Sequence, residues 1–213
     1  MKTGSKLEYH SQYGQDVFLD TEVFKGMENG IFVEIGAYDG VRFSNSLFFE
    51  KERHWRGICV EPIPARFEEL KKNRNSINVN ACISSKAGTV EFTMIEGYAE
   101  MLSGISKDYH KKHKSRIDEN IKFHGGKKIN IRVESIILND LLSNNNILHV
   151  DYCSIDTEGS ELELLLSFDF SKYKVKAFSI ENNYLDSKIR DLMKKNNYEL
   201  VKTIECDEIY VLK

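Results

Sequence analysis

Proline is scarce in this chain, at Pro62 and Pro64 only; tryptophan occurs once, and four cysteines are scattered among 213 residues. So little proline excludes collagen-like sequence and proline-rich linkers. Cys59, Cys82, Cys153 and Cys206 contain no C-x-x-C pair and no zinc-ligand spacing, so they read as reduced core residues. No run reaches the ~18 apolar residues of a membrane helix, and the opening residues are polar without an apolar signal core, so the expected compartment is cytoplasmic. An excess of one charge is missing too: 30 Lys+Arg against 33 Asp+Glu leave −3, which argues against a chain coated with nucleic acid. With 41% hydrophobic residues the sequence is not intrinsically disordered.

Short apolar runs alternating with amphipathic stretches predict an α/β fold, a parallel sheet with helices on both faces, in a single domain over 1–213. The expected strands are 31–35, 57–61, 77–81, 149–155, 175–181, 198–204 and 208–212, a seven-stranded set. Only Glu205–Asp207 separates the last two, too short for a crossover, so they pair antiparallel and the sheet is mixed at one edge. Pro64 opens a helix whose Phe67 and Leu70 face the sheet, and Ser160 with Glu163 reads as a capping box before Leu162, Leu165 and Leu166. A further helix carries Ile189, Leu192 and Met193. Between Gly88 and Leu142 the rhythm breaks, and that region is expected to be an insertion between the third and fourth strands. Within it, 107–128 holds eight Lys/Arg against three acids, hence +5, either a solvated helix face or a site for an anionic group.

The most informative segment is Phe32-Val33-Glu34-Ile35-Gly36-Ala37-Tyr38-Asp39-Gly40, a buried strand running into E-x-G-x-x-x-G before a helix expected from about Phe43. Glycines permit close backbone approach, and a helix start offers free N–H groups to an anion. The three-glycine signature of nicotinamide enzymes is absent. Twenty-one residues on, the next strand ends in Val60-Glu61-Pro62, where an acid can accept both ribose hydroxyls of an adenosine.

Together FVEIGAYDG, GICVEP, NACISS, SIDTEGSE and the opening SQYGQD resemble the FkbM family of S-adenosylmethionine-dependent methyltransferases, from Ser11 to Leu212. The resemblance implies a class I methyltransferase (Rossmann-like) fold, with its seventh strand antiparallel. It also implies S-adenosylmethionine as donor, with Glu34, Gly36, Ala37, Asp39 and Gly40 at its methionine part, Glu61 at the ribose and Cys82 and Ile83 at the adenine edge. The family supplies the sugar, glycan or small polyol as acceptor, and hence O-methylation.

Asp156 and Glu158 after one strand and Glu181-Asn182-Asn183 after the next are the expected catalytic acids and amides, on the same sheet edge as the donor. Asp156, Glu181 and Asn182 form an oxygen set suited to Mg²⁺ or Mn²⁺, similar to the metal site of catechol O-methyltransferase; without metal the same groups hydrogen-bond the acceptor. That enzyme's lysine base corresponds to Gly159 here, leaving Glu158, His110, His113 or His124 as base or the metal alone to acidify the hydroxyl. His110 and His113 read as a solvated pair, and His10 and His54 as surface residues. Gly97–Gly104, apolar within a polar insertion, is expected to close over the site with Tyr98 and Met101 as substrate contacts, or else to pack under the insertion. The segment Ser11–Asp16 either folds over the donor or caps a helix, and Trp55 packs a helix-to-strand turn. Two other classes stay open: an RNA methyltransferase using the basic insertion, short of stacking aromatics with only Tyr109 and Phe123, and a noncatalytic adenosyl-binding module.

Overall fold

The computed structural model describes residues 7–213. In chain order the strands are β1 (Ile31–Ile35), β2 (Arg56–Val60), β3 (Ile77–Val79), β4 (Cys82–Ile83), β5 (Gly88–Glu96), β6 (Gly104–Ile105), β7 (Lys127–Ile136), β8 (His149–Ile155), β9 (Lys174–Glu181), β10 (Tyr198–Ile204) and β11 (Asp207–Leu212). The helices are α1 (Gln15–Phe18), extended as a π-turn through Leu19–Phe24, α2 (Leu47–Glu52), α3 (Pro64–Asn73), α4 (Lys111–His124), α5 (Leu138–Asn144), α6 (Glu161–Ser167) and α7 (Ser187–Lys195).

Seven strands form the main sheet in the order β10-β11-β9-β8-β1-β2-β3, with β11 antiparallel to both its neighbours and the other pairs parallel. Strand order reverses between β1 and β8, and their carboxyl ends open the crevice where sheets of this kind bind ligands. Period-two alternation sends Val33, Ile35, Ile58, Val60, Cys153 and Ile155 to one face, against Leu138 and Leu142 of α5, Leu164 and Leu165 of α6, and Ile189 and Met193 of α7. Phe32, Cys59 and Tyr152 point to the other, against Phe24, Phe48, Phe49 and Leu70. Trp55 belongs to that second face: its ring fills the space beside Gly30 and its Nε1–H donates to the Met27 carbonyl at 2.8 Å, the turn-packing role expected of it.

A second, four-stranded sheet, β4-β7-β5-β6, begins at Cys82 and ends at Ile136. The region outside the main sheet therefore starts earlier and ends sooner than the expected 88–142, because Leu138, Leu141 and Leu142 belong to the main core. Phe92, Ile105 and Val133 pack on Ile63 at the start of α3, while Ile95, Leu102 and Ile117 fasten α4 to the small sheet.

Two local expectations are corrected. Residue Phe43 has φ 59° and α2 starts only at Leu47, because the Glu34 carboxylate draws the Ser44 hydroxyl, the Asn45 N–H and the Ser46 hydroxyl (2.7–3.0 Å) into a loop that a helix cannot follow. The capping box does not form: the Ser160 hydroxyl donates to Asp108 Oδ2 at 3.0 Å, and Glu161, not Glu163, accepts from the Thr157 and Gly159 N–H groups at 2.9 and 3.1 Å.

Candidate active site

A cavity of about 220 Å³ opens at the carboxyl ends of β1, β2, β8 and β9. On its first side, Gly36 holds φ 86°, and a Cβ there would lie 2.0 Å from the Asp156 carbonyl oxygen, so the glycine lets the β1 and β8 loops touch. The Gly36 and Ala37 N–H groups both donate to the Val60 carbonyl at 3.0 Å. The neighbouring Glu61 carboxylate accepts the Tyr38 N–H at 2.9 Å and the Ile63 N–H at 2.7 Å, and burial pushes its pKa up to about 8. Of the residues expected on the donor, Glu34, Gly36, Ala37, Glu61, Cys82 and Ile83 line this cavity.

Asp39 and Gly40 do not line it. Asp39 Oδ1 accepts the Val41 and Arg42 N–H groups at 2.9 and 2.8 Å, which closes the turn, and Gly40 leaves room for Leu70 and Arg74 against the backbone. Glu34 borders the cavity, but its oxygens are taken by Ser44, Asn45, Ser46 and Arg74, so it shapes the loop that carries Phe43–Asn45 to the cavity wall. Arg74, itself buried, pairs Glu34 at 3.1 Å and Glu50 at 2.8 Å, which answers the cost of taking those charges out of water.

On the opposite side Asp156, Glu158 and Glu181 bring carboxylate oxygens within 4.8 Å of one another. Asp156 is exposed at the cavity, yet its partial desolvation there, then Asp207 and Glu161, push it up to about 7; burial and the charge of Asp156 hold Glu158 and Glu181 well above the usual carboxylate range. Such a cluster stays partly protonated until a cation or a hydrogen-bonding ligand enters. Asn182 is not among the converging groups. Its amide is folded back on Asp186, accepting the Asp186 N–H at 2.7 Å and donating to its carbonyl at 3.2 Å, so Glu158 takes the place expected for Asn182.

His113 departs furthest from expectation. Its partner His110 is exposed, but His113 is fully buried, because α4 lays it with Ile117 against the small sheet. The Leu102 carbonyl, 3.1 Å from Nε2, can only accept, so Nε2 carries the proton and Nδ1 is left facing Glu158 Oε2 at 3.5 Å. Burial keeps this imidazole below its usual pKa. Likewise His10 is half-buried, with Nε2 enclosed and unpartnered, whereas His54 is exposed as expected.

The loop 97–104 reaches the cavity through Glu100, Met101, Leu102 and Ser103. Glu100 is latched by the Tyr38 hydroxyl and by Arg66 at 3.0 Å. Tyr98 is not a contact: it is 73% exposed and lies on the His124 ring, centroids 4.2 Å apart. The opening segment both starts a helix, without a side-chain cap, and reaches the cavity. Gly14 starts α1, Ser11 bridges to Phe43, and Gln12, Tyr13 and Gln15 roof the cavity, with Gln15 Nε2 donating to Asp207 Oδ2 at 2.5 Å.

Cavity residues that the sequence reading missed are Arg42, Phe43, Asn45, Arg116, Cys206 and Asp207. A signal existed for the last two: a hairpin turn at 205–207 must fall at the end of β9, where Asp207 pairs with Glu181. Nothing in the sequence marks Asn45, whose Nδ2 donates to Ser154 Oγ at 3.0 Å while its Oδ1 is buried without a partner. The cysteines are free, three of them buried and Cys206 half-buried. No helix among the described residues is long and apolar enough to cross a membrane.

The Methyltransferase FkbM domain matches residues 34–200. A methyltransferase FkbM from Methylobacillus flagellatus KT superimposes with a TM-score of 0.54 at 12% identity, over 94% of this chain and 48% of that one. A precorrin-6y C5,15-methyltransferase from Geobacter metallireducens gives 0.48 at 13% identity, over 100% and 94% of the two chains. The chain thus spans about half the length of the first structure. No curated protein matches it. With a family match running from Glu34 at the end of β1 through the β8 and β9 carboxylates, on a mixed sheet of the methyltransferase kind, the chain belongs to the methyltransferase FkbM family.

Proposed function

We propose that the protein transfers a methyl group from S-adenosylmethionine to a hydroxyl of a sugar or glycan. The observation that carries this reading is the convergence of Asp156, Glu158 and Glu181 on the same cavity that Gly36, Ala37 and Glu61 line. In-line displacement needs the acceptor oxygen behind the methyl carbon, with water excluded. Glu61 receives the ribose hydroxyls, Cys82 and Ile83 border the adenine, and the Gly36–Ala37 backbone takes the methionine part. Across the cavity the three carboxylates hydrogen-bond adjacent hydroxyls of the acceptor. As the oxygen–methyl bond forms and the sulfur–methyl bond breaks, the hydroxyl proton passes to one of these carboxylates and S-adenosylhomocysteine leaves.

The donor set also fits a divalent cation, since three carboxylates share one end of the cavity and no Lys or Arg pairs with any of them among the described residues. Asp156, Glu158 and Glu181 would hold Mg²⁺ or Mn²⁺, which supplies charge to acidify a bound hydroxyl. The acceptor end of the cavity favours a neutral sugar over RNA: Asp156, Glu158 and Glu181 repel a phosphate backbone there, and of the basic residues of α4 only Arg116 lines the cavity.

Incubation with methyl-labelled S-adenosylmethionine and, separately, mono- and oligosaccharides or RNA at low and moderate salt tests the reading. Label on carbohydrate is the expected result. Salt-sensitive label on RNA alone would reverse it.

A further inference from the structure

Beside the first cavity lies a second of about 360 Å³, and Glu181 and Asn183 line both. Asn183 spans the divide, its Nδ2 donating to Glu158 Oε2 at 3.5 Å. The second cavity carries an aromatic pair, His110 stacked on Tyr184 with centroids 4.7 Å apart and planes at 28°. The Tyr184 hydroxyl is enclosed and has no hydrogen-bond partner. The cavity's lining carries Asp108, Glu161, Glu163, Glu181 and Asp186 against Lys107.

Each feature points to a neutral polyhydroxyl ligand. Aromatic faces take the C–H surface of a pyranose, and carboxylates and amides take its hydroxyls. The acidic rim disfavours phosphorylated or carboxylated units by like-charge repulsion. We propose that this second cavity is a subsite for the sugar unit next to the one that is methylated, so the acceptor is an oligosaccharide or glycan rather than a free monosaccharide. The inference rests on the sugar reading of the first cavity, with which it shares Glu181 and Asn183.

The test compares kcat/KM for methyl hexosides with kcat/KM for the corresponding neutral disaccharides, in the unaltered protein and in Tyr184→Phe and Tyr184→Ala. A disaccharide advantage on the order of tenfold is expected, the worth of one stacking contact and one hydrogen bond to the rim carboxylates. Tyr184→Ala should collapse that ratio toward one through KM, whereas Tyr184→Phe, which keeps the stacking ring, should retain it. Equal kcat/KM for both acceptor sizes in the unaltered protein, or a disaccharide advantage that survives Tyr184→Ala, overturns the subsite and leaves the sugar reading standing. Absence of methyl transfer to every carbohydrate overturns both.

Discussion

At the β1 and β2 ends the acids are answered from within the protein: buried Glu61 by two N–H groups, buried Glu34 by its loop and Arg74, and half-buried Asp39 by two N–H groups. At the β8 and β9 ends the acids face one another, and two enclosed atoms without partners, His113 Nδ1 and the Tyr184 hydroxyl, lie beside them. The first region's carboxylates are met by the protein's own donors, although Asn45 Oδ1 on its wall is left without a partner. The second is electrostatically incomplete, and something with protons or positive charge must finish it. On the function proposed above, that contrast separates a donor side held by backbone from an acceptor side tuned by what binds.

The sharpest way to break the comparison is at the point where the two regions touch. Gly36→Val places a branched side chain at φ 86° and drives its Cβ into the Asp156 carbonyl. The expected loss of stability is on the order of 3–5 kcal/mol, from backbone strain and overpacking together. Urea unfolding measures it. A variant that unfolds at the original midpoint and loses only donor binding would show that the β1 and β8 loops are not braced against each other.

Next in size is Glu61. An acid whose folded pKa is raised keeps its proton in the fold after the unfolded chain has lost it, so stability is fully present below the ordinary carboxylate range. That stability drains as pH rises toward about 8. His113, held below its usual value, has the opposite sign and costs stability only on the acid side of 6.5. Between pH 6.5 and 8 the ligand-free protein should therefore lose roughly 1.4 kcal/mol per pH unit on account of Glu61, and Glu61→Gln should lower the slope by that share, leaving what Asp156, Glu158 and Glu181 contribute with the same sign. Calorimetry above pH 8, where Glu61 is ionised, should show S-adenosylhomocysteine binding weakened by about 1.5–3 kcal/mol in Glu61→Ala. A slope unchanged in Glu61→Gln would mean that the carboxylate is ionised in the fold.

The incomplete region is sharpened by a cation. Mg²⁺ or Mn²⁺ at 100 times its dissociation constant should stabilise the protein by about 2.7 kcal/mol, and Glu181→Gln should abolish that gain while Asn182→Ala keeps it, since the Asn182 amide is committed to Asp186. Differential scanning calorimetry with chelator and add-back reads the difference. Equal melting temperatures with and without ion would leave the carboxylates as acceptor ligands alone.

How much of this was legible in sequence follows the same divide. Strand β1, Glu61 and the antiparallel β10–β11 hairpin depend on neighbours in the chain or on strand period, and each stands where the pattern put it, whereas the loop after β1 turns Asp39 and Gly40 away from the cavity and delays its helix to Leu47. Groups placed by tertiary choice were misread. Ser160 looked like a cap but found Asp108, 52 residues away, and His113 looked solvated because its helix is polar all round except for the stripe that meets the small sheet. The start of that sheet at Cys82 was hidden because β4 is two residues long and pairs with β7, far along the chain.

The smallest effect is asked of the loop that joins the two regions. Tyr98 and Met101 look equivalent in sequence, two large side chains in one glycine-bounded segment, but only Met101 reaches the cavity. Tyr98 stands out in solvent on His124. Truncating an exposed residue of this kind changes stability by less than about 0.5 kcal/mol, so Tyr98→Ala should leave both donor affinity and turnover within error. Met101→Ala removes apolar surface from the cavity wall and should weaken S-adenosylhomocysteine or acceptor binding by about 1 kcal/mol. Paired titrations of the two variants decide it. A larger loss from Tyr98→Ala than from Met101→Ala would mean that the segment turns over on binding, bringing Tyr98 down from His124 and releasing the latch of Glu100 to Tyr38 and Arg66.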